Sequence, residues 1–241
     1  VCQFGELARQ YLKRIKGRAL NILLPYYSRS GHTEKLALVL CAQLRSLGHT
    51  VTLEKIVVTH KRSKWHLALP LLSTLPVLPL YLWLRPFRHW WLKRYPQVEQ
   101  PIAPLAYPDV SSFDCICLGG PKWLYISYPV ARYLSQVQGL AGKPVAAFAT
   151  FCGPPLEIFE LNMLFGALHE RIQKAGGHMV AQLAVSSHFH EFFFFREMEY
   201  VFRLVSRLRF AVSLRSFTLE RPWAQQEIAN FCAKLSRIKT R

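Results

Sequence analysis

The sequence predicts an α/β fold with a parallel sheet covered by helices on both faces, and three observations predict it. Short apolar runs rich in β-branched and aromatic residues recur along the chain. Stretches with helical spacing of leucine separate them, and glycines stand where those helices should stop. Parallel strands cannot be joined by tight turns, so regular alternation of strand and helix implies crossover connections and a doubly wound sheet.

Leu20 to Tyr27 is an apolar run that stops at Ser28, as a strand buried on both faces should. From Thr33 onward Leu36, Leu40, Leu44 and Leu47 recur at helical spacing, and Gly48 sits where a left-handed C-cap is wanted. Thr50 to Val58 reads as the second strand, Phe113 to Leu118 as the third and Val130 to Val137 as a helix. Val145 to Thr150 makes the fourth strand. Glu157 to Lys174 follows as a helix ended by Gly176 and Gly177, and Met179 to Val185 is the fifth strand. Trp223 to Ile238 closes as a helix, with Pro222 suited to its first turn.

The 241 residues suffice for one substantial core, so the chain reads as a single domain, 1–241, carrying insertions. Its 31 Lys+Arg against 14 Asp+Glu give a formal charge of +17, which attracts polyanions such as anionic lipid, nucleic acid or phosphate groups. Six cysteines inside apolar runs read as reduced, buried thiols, which makes a cytosolic setting the default. Val1 to Arg18 holds no long apolar stretch of the signal-peptide kind; Leu7 to Ile15 reads as a short basic helix, and the absent initiator Met suggests a trimmed or incomplete start.

Two segments fall outside the alternation. The first, 59–106, lies between strands two and three where a short crossover would do. Within it Leu67 to Leu84 carries no charge, Lys61, Arg62 and Lys64 precede it, and Arg85, Arg88, Lys93 and Arg94 follow it. No acidic residue occurs from Lys55 to Val98. A spanning helix needs roughly 20 apolar residues, but Pro70, Pro76 and Pro79 interrupt this one and would strand backbone groups in hydrocarbon. A monotopic or re-entrant element is therefore expected, with Trp83, Trp90 and Trp91 at headgroup depth and the flanking cations on anionic lipid. The competing readings are a helical subdomain packed on the sheet or on a second copy of the chain, and, lower in rank, a nucleic-acid surface, since base-reading motifs are missing. The second segment, 186–221, mixes Phe192 to Phe195 with Arg203, Arg207 and Arg209 and is likewise basic and amphipathic.

A phosphate bound at a helix N-terminus needs converging N–H donors and short hydroxyl side chains. The turn Ser28, Arg29, Ser30, Gly31, His32, Thr33 provides them: Gly31 allows close approach or positive φ, and the following helix adds its dipole. An ordinary Ser/Thr cap is the alternative. Neither GxxxxGK[ST] nor GxGxxG follows this strand.

The run Tyr27 to Thr33 resembles the FMN phosphate loop of flavodoxins and their relatives. Two further runs share the resemblance. Phe113 to Trp123, with its Gly119-x-Pro121-x-Trp123 pattern and Pro129 beyond, looks like the family's third strand, first flavin loop and the proline that opens the next helix. Gly142 to Gly153 is similar to its fourth strand and second flavin loop. The resemblance implies a flavodoxin-like, five-stranded parallel sheet of order 2-1-3-4-5 with ligand loops at the strand C-termini. It implies FMN as cofactor, with Ser28, Arg29, Ser30, Gly31, His32 and Thr33 around the phosphate. Pro121, Lys122, Trp123, Leu124 and Tyr125 would flank one side of the ring, and Thr150, Phe151, Cys152 and Gly153 the other. Trp123 is the expected stacking residue, because an indole face offers large apolar area. Arg29 departs from the small or polar residue common at its position, and His32 replaces the asparagine of many relatives.

Cys115 and Cys117 share one strand face, yet no second pair has zinc spacing, so buried thiols are the better reading. His188, His190 and Glu191 lack a matching ligand partner, and Cys152 reads as an apolar filler. No Ser/His/Asp arrangement sits at a recognisable elbow. The expectation is an FMN-dependent oxidoreductase or electron-transfer flavoprotein, cytoplasmic and peripheral on the inner face of a membrane, using an apolar quinone-like or porphyrinogen-like substrate. The rival is a membrane-bound interaction protein whose flavodoxin scaffold lacks flavin.

Overall fold

The computed structural model describes residues 18–60, 75–87, 90, 99–122, 126–151, 161–186, 219 and 222–238. In chain order the elements are β1 (Asn21–Tyr26), α1 (His32–Ser46), β2 (Thr50–Lys55), a 3-10 turn (Leu75–Val77) leading into α2 (Leu78–Trp83), β3 (Cys115–Pro121), α3 (Tyr128–Gln136), β4 (Pro144–Phe151), α4 (Asn162–Lys174), β5 (His178–Ser186) and α5 (Pro222–Ser236). The strands form one sheet in the order β2-β1-β3-β4-β5, and each pairing is parallel.

Alternation along the strands splits the apolar residues into two cores, as the period of two demands. Leu23, Ile116, Leu118, Val145 and Ala147 face α3 and α4, which contribute Val130, Tyr133, Leu134, Leu164, Leu168 and Ile172. Ile22, Leu24, Cys115, Cys117 and Phe148 face α1 and α5, which contribute Leu36, Leu40, Leu44, Ile228, Phe231 and Leu235. Helices on both faces thus cover a sheet whose inner strands carry little polar surface. Gly48 and Gly176 follow α1 and α4 with φ of 88° and 86°, a conformation in which side chains are strained, and so end those helices as expected. Cys41, Cys115, Cys117 and Cys232 are free and buried; burial pushes the Cys115 and Cys232 thiols up to about 12.

Some boundaries differ from expectation. The second strand stops at Lys55 rather than Val58, because the chain then leaves the sheet edge: Val58 forms an isolated antiparallel bridge with Ile102, and the Ala103 N–H donates to the Val57 carbonyl (2.8 Å). The third strand is shifted to later residues and runs on through Gly119 and Gly120 to Pro121, paired with Phe148, Ala149 and Thr150 of β4. The start expected for the helix before Lys174, at Glu157, lies outside the described residues, as do His188, His190 and Glu191.

The base of the 59–106 insertion is tied to the domain by two acids. Glu99 accepts from Arg171 (2.7 Å) and Arg132 (3.2 Å), joining the returning chain to α3 and α4. Glu54, near the end of β2 and 4% exposed, accepts from the Ala106 and Tyr107 N–H groups through Oε1 (2.7 and 3.1 Å). At the opposite end of the sheet, buried His49 accepts from the Leu20 N–H at Nδ1 (3.2 Å). Its proton therefore sits on Nε2 and is donated to Ser236 Oγ (2.7 Å), which donates to the Cys232 carbonyl (3.1 Å). Burial holds the His49 pKa below its ordinary value, and this relay fastens α5 to the start of β1.

Candidate functional site

The chain runs outward from β1 to β2 and then crosses back to β3, so strand order reverses between β1 and β3. Open α/β sheets bind ligands in the crevice beyond the strand C-termini at such a point. Here that rim is formed by Tyr26, Pro121 and Phe151, the last residues of β1, β3 and β4.

The first rim loop is shaped by Gly31. It stands as N-cap of α1 with φ 90° and ψ −17°, a left-handed conformation, and a side chain there would be strained. Its N–H donates to Ser28 Oγ (3.1 Å), and its carbonyl accepts the first helical bond, from the Lys35 N–H (2.9 Å). Gly31, as the N-cap residue, makes no side-chain hydrogen bond to the helix N-terminus. The positive end of the α1 dipole therefore opens onto a turn carrying exposed Arg29 and Ser30 and half-buried Ser28 and His32. The N-cap position is thus held by Gly31, with Ser28 closing the turn, rather than by a serine or threonine.

Glu34 is the acid in the first turn of α1, where its charge would oppose a bound anion. Its carboxylate is instead paired with Lys55 Nζ (2.9 Å) and accepts from the Tyr26 hydroxyl (3.2 Å); the bond to Lys55 holds its pKa below the usual range. The loop start is bolted to β3 by the Tyr27 N–H on the Gly119 carbonyl (3.0 Å), and β3 to β4 by the Lys122 N–H on the Thr150 carbonyl (2.7 Å).

Of the residues expected around a ligand, Ser28, Arg29, Ser30, Gly31, His32, Thr33, Pro121, Lys122, Thr150 and Phe151 lie on this rim. Trp123, Leu124, Tyr125, Cys152 and Gly153 lie outside the described residues. Thr33 and Thr150 are brought together directly: both are buried, and their hydroxyls are hydrogen-bonded at 2.7 Å across 117 residues of sequence. Phe151 is buried in the sheet end.

Sequence reasoning placed Gly119 in a loop pattern but did not read the packing around it, and it did not single out Ser127. Gly119 is covered by the Phe148 ring, so that a Cβ there would lie 2.0 Å from its Cζ. Ser127, the N-cap of α3, has a buried Oγ without a hydrogen-bond partner, and a Cβ on Gly120 would meet it at 2.9 Å. Two consecutive glycines at a strand end were the available signal, since they mark close backbone approach.

The segment of α2 and the residues after it leave an apolar surface in the open. Leu80, Leu84 and Trp90 are about half exposed and Trp83 is 90% exposed, whereas Phe87 packs against the core and stacks at a tilt on Trp90 (5.6 Å). No helix among the described residues is long and apolar enough to cross a membrane.

No protein-family model matches the chain, and no curated protein matches it in sequence. Among solved structures, the chain is similar to a flavoprotein from Lactobacillus acidophilus crystallised in complex with FMN, at 19% identity and TM-score 0.46 over 69% of this chain and 93% of that one. It is similar to oxidised flavodoxin 1 from Bacillus cereus (12% identity, TM-score 0.47, 91% of this chain and 99% of that one). Flavodoxin 2 of the same organism gives 17% identity and TM-score 0.47, over 90% and 99% of the two chains. On its own strand order and parallel register, the chain has a flavodoxin-like fold, with the Gly31 turn at the point where strand order reverses.

Proposed function

We propose that the chain binds FMN in this crevice and works as an oxidoreductase or electron-transfer flavoprotein at an anionic membrane surface. One observation carries the cofactor reading: a left-handed glycine turn, pinned by Ser28, opens α1 at the point where strand order reverses. Main-chain amides of the turn and the hydroxyls of Ser28 and Ser30 hold the phosphate, Arg29 adds charge beside it, and the rims of β3 and β4 flank the ring. Bound FMN supplies reversible electron transfer. Titration of purified protein with FMN is expected to quench flavin fluorescence to saturation, with FMN favoured over riboflavin. A colourless protein that leaves added FMN unquenched overturns the cofactor reading and favours a flavin-free interaction protein.

Membrane docking is supported by the exposed Leu80, Trp83, Leu84 and Trp90 and by a sequence without acids from Lys55 to Val98. Aromatic rings take the headgroup level, and the basic sequence that carries Arg85, Arg88, Lys93 and Arg94 supplies charge for anionic lipid on the cytoplasmic side, where free thiols such as Cys41 and Cys115 persist. An apolar redox substrate, quinone-like or porphyrinogen-like, then reaches the flavin from lipid. The double variant W83A/W90A is expected to lower co-sedimentation with phosphatidylserine vesicles at least about tenfold, in keeping with the area each ring buries. Unchanged sedimentation rejects this face as the docking surface.

A further inference from the structure

We infer that Thr150 is a positioning residue for the phosphate arm of the site, acting through Thr33 rather than on the flavin ring; this rests on the FMN reading above. Thr33 is the second residue of α1 and Thr150 the last but one of β4, and they belong to different rim loops. Their hydroxyl oxygens lie 2.7 Å apart, with Thr33 2% and Thr150 4% exposed. The Thr150 carbonyl is already bonded to the Lys122 N–H, so its side chain alone remains to act on the helix.

The direction of the shared proton decides what α1 can offer. A threonine hydroxyl carries one hydrogen and two lone pairs. When Thr33 donates to Thr150, the lone pairs of Thr33 are what remains beside an incoming dianion, and they repel it. When Thr150 donates instead, the Thr33 hydrogen is released toward the helix N-terminus, where it adds to the converging main-chain donors. An anion bound at the Gly31 turn selects the second arrangement, in which Thr150, donating to Thr33, fixes the Thr33 rotor and polarises its hydroxyl toward the turn. The same bond holds the first turn of α1 against the end of β4, so the amide of Thr33 is fixed in place as well. Being nearly sealed from solvent, the pair keeps one geometry instead of exchanging with water.

The test compares FMN with riboflavin, which carries the same ring without the phosphate, by fluorescence titration of wild type, Thr150→Val and Thr150→Ser. Thr150→Val is expected to weaken FMN about tenfold, the order expected for one charge-assisted hydrogen bond, while riboflavin affinity stays unchanged. Thr150→Ser, which restores a hydroxyl, is expected to recover FMN affinity. Thr150→Ala serves as a second hydroxyl-free variant if the valine does not fold. FMN affinity equal to wild type in the hydroxyl-free variant overturns the role. Equal losses for both flavins overturn it too, because they show Thr150 acting on the ring. A wild type that binds neither flavin takes down the cofactor reading and this role with it, whereas a wild type that binds FMN leaves the variants to judge the role alone.

Discussion

Gly119→Ala is expected to destabilise the protein by about 1–3 kcal/mol, the range for overpacking a filled core. Its φ lies outside the left-handed region, so the effect comes from space. Gly119 is paired in register with Phe148, whose ring lies over it on the face covered by α1 and α5. A Cβ would stand 2.0, 2.3 and 2.5 Å from three ring carbons, and the ring, 1% exposed among Leu24, Cys117 and Leu183, has nowhere to swing. Shortening the ring should relieve the clash. In urea unfolding of wild type, Gly119→Ala, Phe148→Leu and the double variant, the double variant is expected to be more stable than the two single losses predict, by about 1 kcal/mol. Strict additivity would mean that the ring does not fill that space. The consequence reaches the site, because the Gly119 carbonyl accepts the Tyr27 N–H at the start of the proposed phosphate turn.

Loss of the Glu54 side chain in Glu54→Ala should cost about 1–3 kcal/mol, because two main-chain donors, at Ala106 and Tyr107, lose their acceptor. The other oxygen, Oε2, is buried without a hydrogen-bond partner, and so is the Tyr133 hydroxyl. Burial raises the Glu54 pKa against the pull of its two N–H donors, and burial together with the charge of Glu54 raises that of Tyr133. The sign of the linkage follows. A carboxyl with a raised folded-state pKa contributes its full stability below the unfolded-state value of about 4.3, and that contribution fades as pH climbs through the folded-state value. Glu54→Gln keeps an acceptor for the two amides and removes the buried charge. Its stability relative to wild type should therefore rise as pH climbs above the unfolded-state carboxyl value of about 4.3. The lowered pKa values of Glu34 and Glu99 act in the opposite sense but are common to both proteins and cancel in the comparison. Parallel pH curves for the two proteins would show that Glu54 does not titrate in the fold.

Much of the scaffold was legible because local pattern carries it. The apolar run of β1, the leucine spacing of α1 and the glycines at 48 and 176 each announce period or termination within a few residues. Gly31 was legible for the same reason: a small residue in a Ser/Thr-rich turn after a strand points to positive φ, which the structure displays. The end of β2 was not, since nothing local to Val58 tells it that Ile102 will draw it out of the sheet. Nor was the role of Thr150, because as the close of an apolar strand it reads as a lining residue until Thr33 is seen opposite it.

By itself the sequence determined the alternation of strand and helix, the composition of the Ser28–Thr33 turn, and the concentration of charge and aromatic residues around the insertion. Only the tertiary structure decided which side chains meet: Thr33 with Thr150, Phe148 over Gly119, and Glu54 on the amides at 106 and 107. The physical reason is range. Periodicity and capping act over a few residues, whereas these contacts form only when sheet register brings together segments tens to more than a hundred residues apart.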